Sequence, residues 1–315
     1  MTIKRLFNQN TDINPQWLLF LRVTVAVLTL LHFGAIQPDF ANLYGTDGFV
    51  KPDIMNAQTT WYHLTVYKIF VWIAAIDKSI SFDDVLRGLG FLYPLALIGL
   101  AVGFCTRISA VVSILLHLVF INSISLYQYG VDSYTTILLF YCILFPVGQQ
   151  LSVDSLIFKQ KTEETSNRYL YLIQTHICIA YFFSGFDKLM GENWRNGEAL
   201  WKAVTSYNEL GLIDFTPLYN TPTFFIMGWA TIVIEMLYPL FINVKKTREI
   251  WLVLTIGLHL SIMVTMGLFF FSTVMIIFNL VTYYIPYLQE TKSSDASWSF
   301  FKTSLQRHFT NNYNR

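Results

Sequence analysis

Long apolar runs separated by short polar breaks dominate the chain, and their lengths predict helices that cross a bilayer. Roughly 20 apolar residues at about 1.5 Å rise each cover a hydrocarbon core. Trp17 to Ile36 meets that length, follows a helix-start signal at Asn14-Pro15, and is interrupted by Arg22 and His32. Arg22 lies near enough to the end of the span to snorkel. From Gln37 to Asp84 the pattern is mixed, with turn chemistry at Tyr44-Gly45-Thr46-Asp47-Gly48 and Lys51-Pro52. Within it, Tyr62 to Ile76 is apolar but short and carries Lys68, which predicts an interfacial or re-entrant helix. Leu89 to Phe104 and Ile108 to Tyr127 form the second and third spans, and the short link Cys105-Thr106-Arg107 forces them into an antiparallel hairpin. Tyr134 to Gly148, Tyr169 to Gly185 and Pro222 to Val244 are the fourth, fifth and sixth. Ile250 to Leu288 is twice too long for one crossing and breaks at Met266-Gly267 into the seventh and eighth.

The polar segments complete the picture. Gln149 to Arg168 reads as a solvent loop with Asp154 near its start, and Glu198 to Ser206 as an amphipathic surface piece. In residues 289–315, Trp298, Phe301, Leu305 and Phe309 fall near helical spacing, which predicts an interfacial amphipathic tail. The expected architecture is all-α: a polytopic membrane helix bundle of about eight transmembrane helices plus interfacial helices, with a transmembrane domain over 1–288 and the tail on the cytoplasmic side.

Composition agrees, because 54% hydrophobic residues against 13% charged exceeds what a soluble core needs. The bilayer is therefore the first expected partner. A net charge of +1 without a long basic run excludes an extended nucleic-acid surface. Location carries more information than total charge. With the N-terminus inside, thirteen lysines and arginines fall in the inner segments and seven in the outer ones, which predicts a multi-pass cell-membrane protein with both termini cytoplasmic. Lys4 and Arg5 precede a first span without a small-residue cleavage site, so that span reads as retained rather than as a secretory signal. Cys105, Cys142 and Cys178 lie in or beside apolar segments without CxxC spacing and read as packing residues.

Candidate chemistry concentrates where the fifth span ends, at Tyr181-Phe182-Phe183-Ser184-Gly185-Phe186-Asp187-Lys188, followed by Trp194 and Gly197. A lysine at the water-lipid boundary reads in two ways. It can snorkel as an ordinary cation, or it can serve as a base once partial removal from water favours its neutral form. Asp187 is expected to point away from Lys188, since adjacent helical residues project about 100° apart. His117, His176, Glu235 and His259 lie within spans, where ionisable side chains are costly. A lone histidine there is more often a hydrogen-bonded packing residue than a ligand. Glu235 is the stronger clue, because a carboxylate in a span either neutralises or finds a cation. No metal-ligand spacing occurs, so no metal is expected, and no phosphate loop, dinucleotide fingerprint or GxSxG elbow supports nucleotide chemistry or serine hydrolysis.

Four blocks carry a resemblance: Gly103-Phe104-Cys105-Thr106-Arg107-Ile108-Ser109; Ser133-Tyr134 with Leu151-Ser152-Val153-Asp154; Tyr181 to Leu189 with Trp194 and Gly197; and His259 with Phe271-Ser272-Thr273-Val274-Met275-Ile276. From about Trp17 to Pro286 the chain resembles the transmembrane domain of vitamin K-dependent gamma-carboxylases, within the broader horizontally transferred transmembrane domain (HTTM) family. The resemblance implies a reduced quinone of the vitamin K or menaquinol kind as cofactor. It also implies Lys188 as the base that deprotonates it at the extracytoplasmic face, and His259, Phe271 and Ser272 as cofactor-binding residues. Asp132, Tyr181, Asp187, Trp194 and Glu235 are further candidates. Val131-Asp132 stand where the carboxylase has an Asn-His pair, and a counterpart of its large lumenal region is lacking. The chain is also similar to membrane proteins of sporulation-delaying-type toxin maturation. That likeness implies the alternative of a non-enzymatic or accessory component that acts on a secreted peptide or partner protein.

Overall fold

The computed structural model describes residues 16–157, 167–206, 215–218 and 221–288; the amphipathic tail at 289–315 lies outside them. Among the described residues all regular structure is helical. In chain order the helices are α1 (Gln16–Ile36), α2 (Phe40–Tyr44), α3 (Pro52–Ala57), α4 (Val66–Ile76), α5 (Phe82–Val102), α6 (Thr106–Ser123) and α7 (Gly130–Leu144). They continue with α8 (Val153–Ile157), α9 (Asn167–Met190), α10 (Glu192–Arg195), α11 (Glu198–Ser206), α12 (Thr223–Phe241), α13 (Arg248–Met266) and α14 (Phe269–Asn279). A π turn (Leu280–Tyr284) and a 3-10 turn (Ile285–Tyr287) extend α14.

Six helical segments are long and apolar enough to cross a membrane, containing α1, α5, α6, α12, α13 and α14. The apolar α7 is shorter, and α9 has the length but carries more polar residues. Each of the eight predicted spans thus falls on a helix, and the protein is a multi-pass membrane helix bundle. Large apolar side chains such as Leu31, Phe91, Ile108 and Val253 stay exposed around it, as expected where the surrounding solvent is lipid.

Two helix groups make up the bundle. One contains α1, α5, α6 and α7, the other α9, α12, α13 and α14, and α14 packs against both α7 and α1 to join them. The predicted hairpin is present between α5 and α6: Gly103 ends α5 at φ 73°, and Cys105 precedes α6 at φ 42°. Gly267, at φ 67°, makes the predicted break between α13 and α14. The short apolar segment before α5 is helical over α4, with Thr65 accepting from the Lys68 N–H at its start.

Several boundaries differ from the pattern-based expectation, each for a local reason. α5 begins seven residues before Leu89, because Ser81 and Asp84 form a reciprocal capping box. α7 runs Gly130–Leu144 rather than Tyr134 to Gly148, since Asp132 accepts the Tyr129 N–H at its start and Pro146 follows its end. α9 does not stop at Gly185 but carries Lys188 within its last turn. Gly185 is a packing position: a Cβ there would lie 2.7 Å from the Met236 backbone nitrogen, so its absence lets α9 and α12 approach closely as an antiparallel pair. Arg22 does not snorkel; it is 1% exposed. Asp154, expected in a solvent loop, is buried against the start of α6.

Candidate functional site

Lys188 faces α12 rather than solvent. Its Nζ donates to Glu235 Oε2 at 2.6 Å and to the Ser184 hydroxyl at 2.6 Å, and it lies 5.1 Å from the centre of the Trp194 ring. Ser184 reaches it because residues four apart on a helix are neighbours. Glu235 reaches it because Gly185 brings the two backbones together. Glu235 is buried, while the Lys188 side chain retains 17% exposure. The carboxylate that meets Lys188 is therefore Glu235. Asp187 is exposed and points elsewhere. Lys188 and Glu235 therefore form one short ion pair rather than two isolated ionisable groups.

The pair opens onto a cavity of about 470 Å³, within the range of small-molecule sites. Tyr181, Ser184, Lys188, Glu235 and His259 supply its polar wall, and Phe271, Met275, Ile262 and Leu200 belong to its apolar one. Trp194 and α11 close one side: Leu200 and Val204 pack with Phe215 and Phe224 in a separate small apolar cluster. Gly197, at φ 86°, turns the chain between α10 and α11, and a side chain there would strike the Phe224–Phe225 backbone.

Behind the cavity wall runs a hydrogen-bonded chain. The Tyr238 hydroxyl donates to Asn279 Oδ1 at 2.8 Å, Asn279 Nδ2 donates to the Tyr181 oxygen at 2.7 Å, and Tyr181 meets His259 Nε2 at 2.7 Å. His259 also packs edge-on to Phe271, with ring centres 5.9 Å apart. The other ring nitrogen of His259, Nδ1, and the hydroxyl of Ser272 are buried without a hydrogen-bond partner in the protein.

Of the residues singled out from sequence, Lys188, Glu235, Tyr181, Trp194, His259 and Phe271 converge on this cavity. Ser272 is fully buried beside Phe271 but does not line it. Asp132 stands apart: its carboxylate caps Tyr129 and its carbonyl faces His117 Nε2 at 3.2 Å, in a cluster where His117 Nδ1 meets Tyr93. Phe271 lies between the two regions, packed against Tyr134 and close to Gly130. His176 pairs with Tyr141 as a packing histidine would. Sequence reasoning missed Ser184, Tyr238 and Asn279. The i, i+4 spacing of Ser184 and Lys188 would have found the first, and a lone amide inside an apolar run the last. Among the described residues no cluster of three or more metal-ligating side chains occurs.

An α-helical membrane bundle with an ion pair and a polar relay around an apolar cavity is the class of protein these observations define. Residues 10–286 match the HTTM domain family, and the chain belongs to it. No curated protein and no solved structure matches the chain.

Proposed function

We propose that this protein binds a reduced lipid quinone in the cavity beside Lys188 and draws a proton from it at the extracytoplasmic face of the cell membrane, both termini being cytoplasmic. The observation that carries the reading is the meeting of one apolar, ring-sized cavity with the Lys188–Glu235 pair. The charge bias along the sequence supports the orientation, and the resemblance to the carboxylase transmembrane domain supports the quinone.

The residues present suit such a ligand. Phe271 and Met275 offer a ring face and an adaptable thioether to a flat aromatic head, and His259 belongs to the same wall. The hydroquinone supplies an acidic O–H. Lys188 Nζ and Glu235 Oε2 then hold the released proton between them, and Ser184 keeps Nζ in place. Trp194 and α11 limit the access of water at that end, which strengthens every electrostatic contact inside.

The test compares Lys188→Arg and Lys188→Ala with the unaltered protein at matched membrane levels, following oxygen-dependent consumption of a prenylated naphthohydroquinone. Arginine keeps the charge but cannot be deprotonated, so both variants are expected to lose activity with insertion intact. Full activity in the arginine variant would remove Lys188 from the proton path. No consumption by the unaltered protein would turn the reading toward the accessory role in peptide maturation.

A further inference from the structure

The cavity beside Lys188 and Glu235 is not closed on every side. Ala230 of α12 and Gly257 and Ser261 of α13 belong to its wall, yet all three are exposed. Helical spacing shows which way they face. On α13, Ile250, Val253, Leu254 and Leu260 form an exposed apolar stripe, and Gly257 and Ser261 continue it at steps of three, four and seven. On α12, Ala230 stands in the same way between the exposed Ile226 and Val233. A residue that lies on the lipid face and also lines the cavity marks the mouth of the cavity. The two helices are joined at one end, where Trp251 Nε1 donates to the Ile234 carbonyl at 3.1 Å and the Trp251 ring stacks on Phe241 with centres 4.5 Å apart. Leu200 and Val204 of α11 belong to the wall toward the other end. Between these two closures the side chains are small, and a Cβ on Gly257 would meet nothing within 4 Å. The Ser261 hydroxyl is spent on the Leu258 carbonyl at 2.7 Å, which suits a rim crossed by an apolar chain.

We infer that Ala230, Gly257 and Ser261 frame a lateral mouth between α12 and α13, through which a ligand dissolved in the bilayer enters head first and leaves its apolar chain in the lipid. Gly257 is the midpoint of the 19-residue α13, so the mouth opens at hydrocarbon depth, where ligands arrive from the membrane rather than from water. The class of ligand follows from this: a compact head that fits the cavity, carried on an apolar chain whose length the cavity does not limit. Packing does not demand the glycine at 257, in contrast to Gly185, where a Cβ would lie 2.7 Å from the Met236 backbone nitrogen. What the missing side chain of Gly257 leaves free is the mouth. The opening follows from the protein alone, while the quinone head used to probe it rests on the function proposed above.

Two measurements test this in nanodiscs, each on the unaltered protein, Gly257→Trp, and Ala230→Trp as a second plug from the facing helix. The first is photolabelling by a phosphatidylcholine that carries a diazirine within one acyl chain, read by mass spectrometry at single residues. Val253 faces lipid and should be labelled in all three proteins, which confirms insertion. Met275 is buried and lines the cavity, so a chain reaches it through the mouth. Its labelling is expected in the unaltered protein and should fall about fivefold or more in both plugged variants, in proportion to how far the indole fills the gap. Absence of label at Met275 in the unaltered protein, or equal label in all three, would overturn the mouth. The second measurement compares binding of a long-chain prenylated 1,4-naphthoquinone with that of 2-methyl-1,4-naphthoquinone, which has no chain to leave outside. Plugging is expected to weaken the prenylated probe about tenfold or more and the chainless one less than about twofold, since only the first must keep the mouth occupied. Equal effects on both probes would overturn the route. If the unaltered protein binds neither probe while Met275 is labelled through an open mouth, the quinone reading fails and the mouth stands.

Discussion

Arg22, near the start of α1, and Lys188, in the last turn of α9, are both cations within apolar helices. Their surroundings differ in kind. Arg22 Nη2 donates to the Leu151 carbonyl at 2.7 Å and Nη1 to that of Val147 at 3.3 Å. Gly103 presses against the same guanidinium. Close by, Asp154 accepts the N–H groups of Cys105 and Thr106 and the Thr106 hydroxyl, each at 2.7 Å. Cys105 and Leu151 are also the described non-glycine residues with positive φ. Backbone of this kind is unfavourable for side-chain-bearing residues, and the Arg22 and Asp154 contacts hold it. At the other end, Lys188 meets a carboxylate that can itself change protonation, and the pair faces open space. A buried charge whose partners are backbone fixes a shape. One whose partner is titratable and whose far side is a cavity can do chemistry.

The largest effect should come from disturbing the Arg22 end. In Gly103→Ala the added methyl would have to occupy space held by Arg22 and Ser152 while the residue stays at φ 73°. The left-handed conformation and the overpacking together are expected to remove about 3 kcal/mol or more. Thermal unfolding in detergent micelles should show a large loss of stability. An unchanged midpoint would mean that the clamp does not hold this end together.

The Lys188 end should respond differently. Glu235→Leu alone leaves an unpaired cation beside a buried site and is expected to cost about 2 kcal/mol, limited because Lys188 keeps some contact with the outside. Lys188→Met combined with Glu235→Leu removes both charges, and apolar replacement of an ion pair is often neutral or stabilising. The double variant should therefore regain stability while losing function. If it unfolds as readily as the single variant, the pair is as structural as Arg22 and the contrast between the two ends fails.

The sequence showed the eight main helices plainly, and apolar length marks six of these helical segments as able to cross a bilayer. Their ends were harder. The capping box at Ser81 and Asp84 lies among polar residues that read as loop, and Gly185 resembles a stop although it serves as a contact. The site was half visible. Lys188, Glu235 and His259 stand out as polar residues at depth, but that Lys188 meets Glu235, 47 positions away, depends on the antiparallel register of α9 and α12. Arg22 read as a snorkelling cation and proved to be a buried clamp, since exposure near a helix end is set by the loops that fold over it. Tyr238 and Asn279 gave little signal, because aromatic hydroxyls and a single amide merge into an apolar run.

The smallest effect concerns Asp154 and its dependence on pH. Burial pushes its carboxyl up, but the hydrogen bonds from Thr106 and Cys105, with the nearby Arg22 charge, outweigh burial and hold it below the usual aspartate value of 3.8. A folded-state value below the unfolded one means that the unfolded chain binds the proton more readily. The stabilisation is then complete above pH 3.8 and is lost as pH falls through the lower folded value. Asp154→Asn keeps one acceptor oxygen and replaces the other with a donor that faces Thr106 or Cys105 N–H. It is expected to lower stability by about 1 kcal/mol at neutral pH and to flatten this acid limb. Unfolding midpoints in detergent, measured from neutral pH down to below that range for both proteins, decide the matter. Parallel curves would show that the Asp154 contacts contribute nothing that depends on its charge, and the hold on the α5–α6 turn would then rest on Arg22 and Gly103.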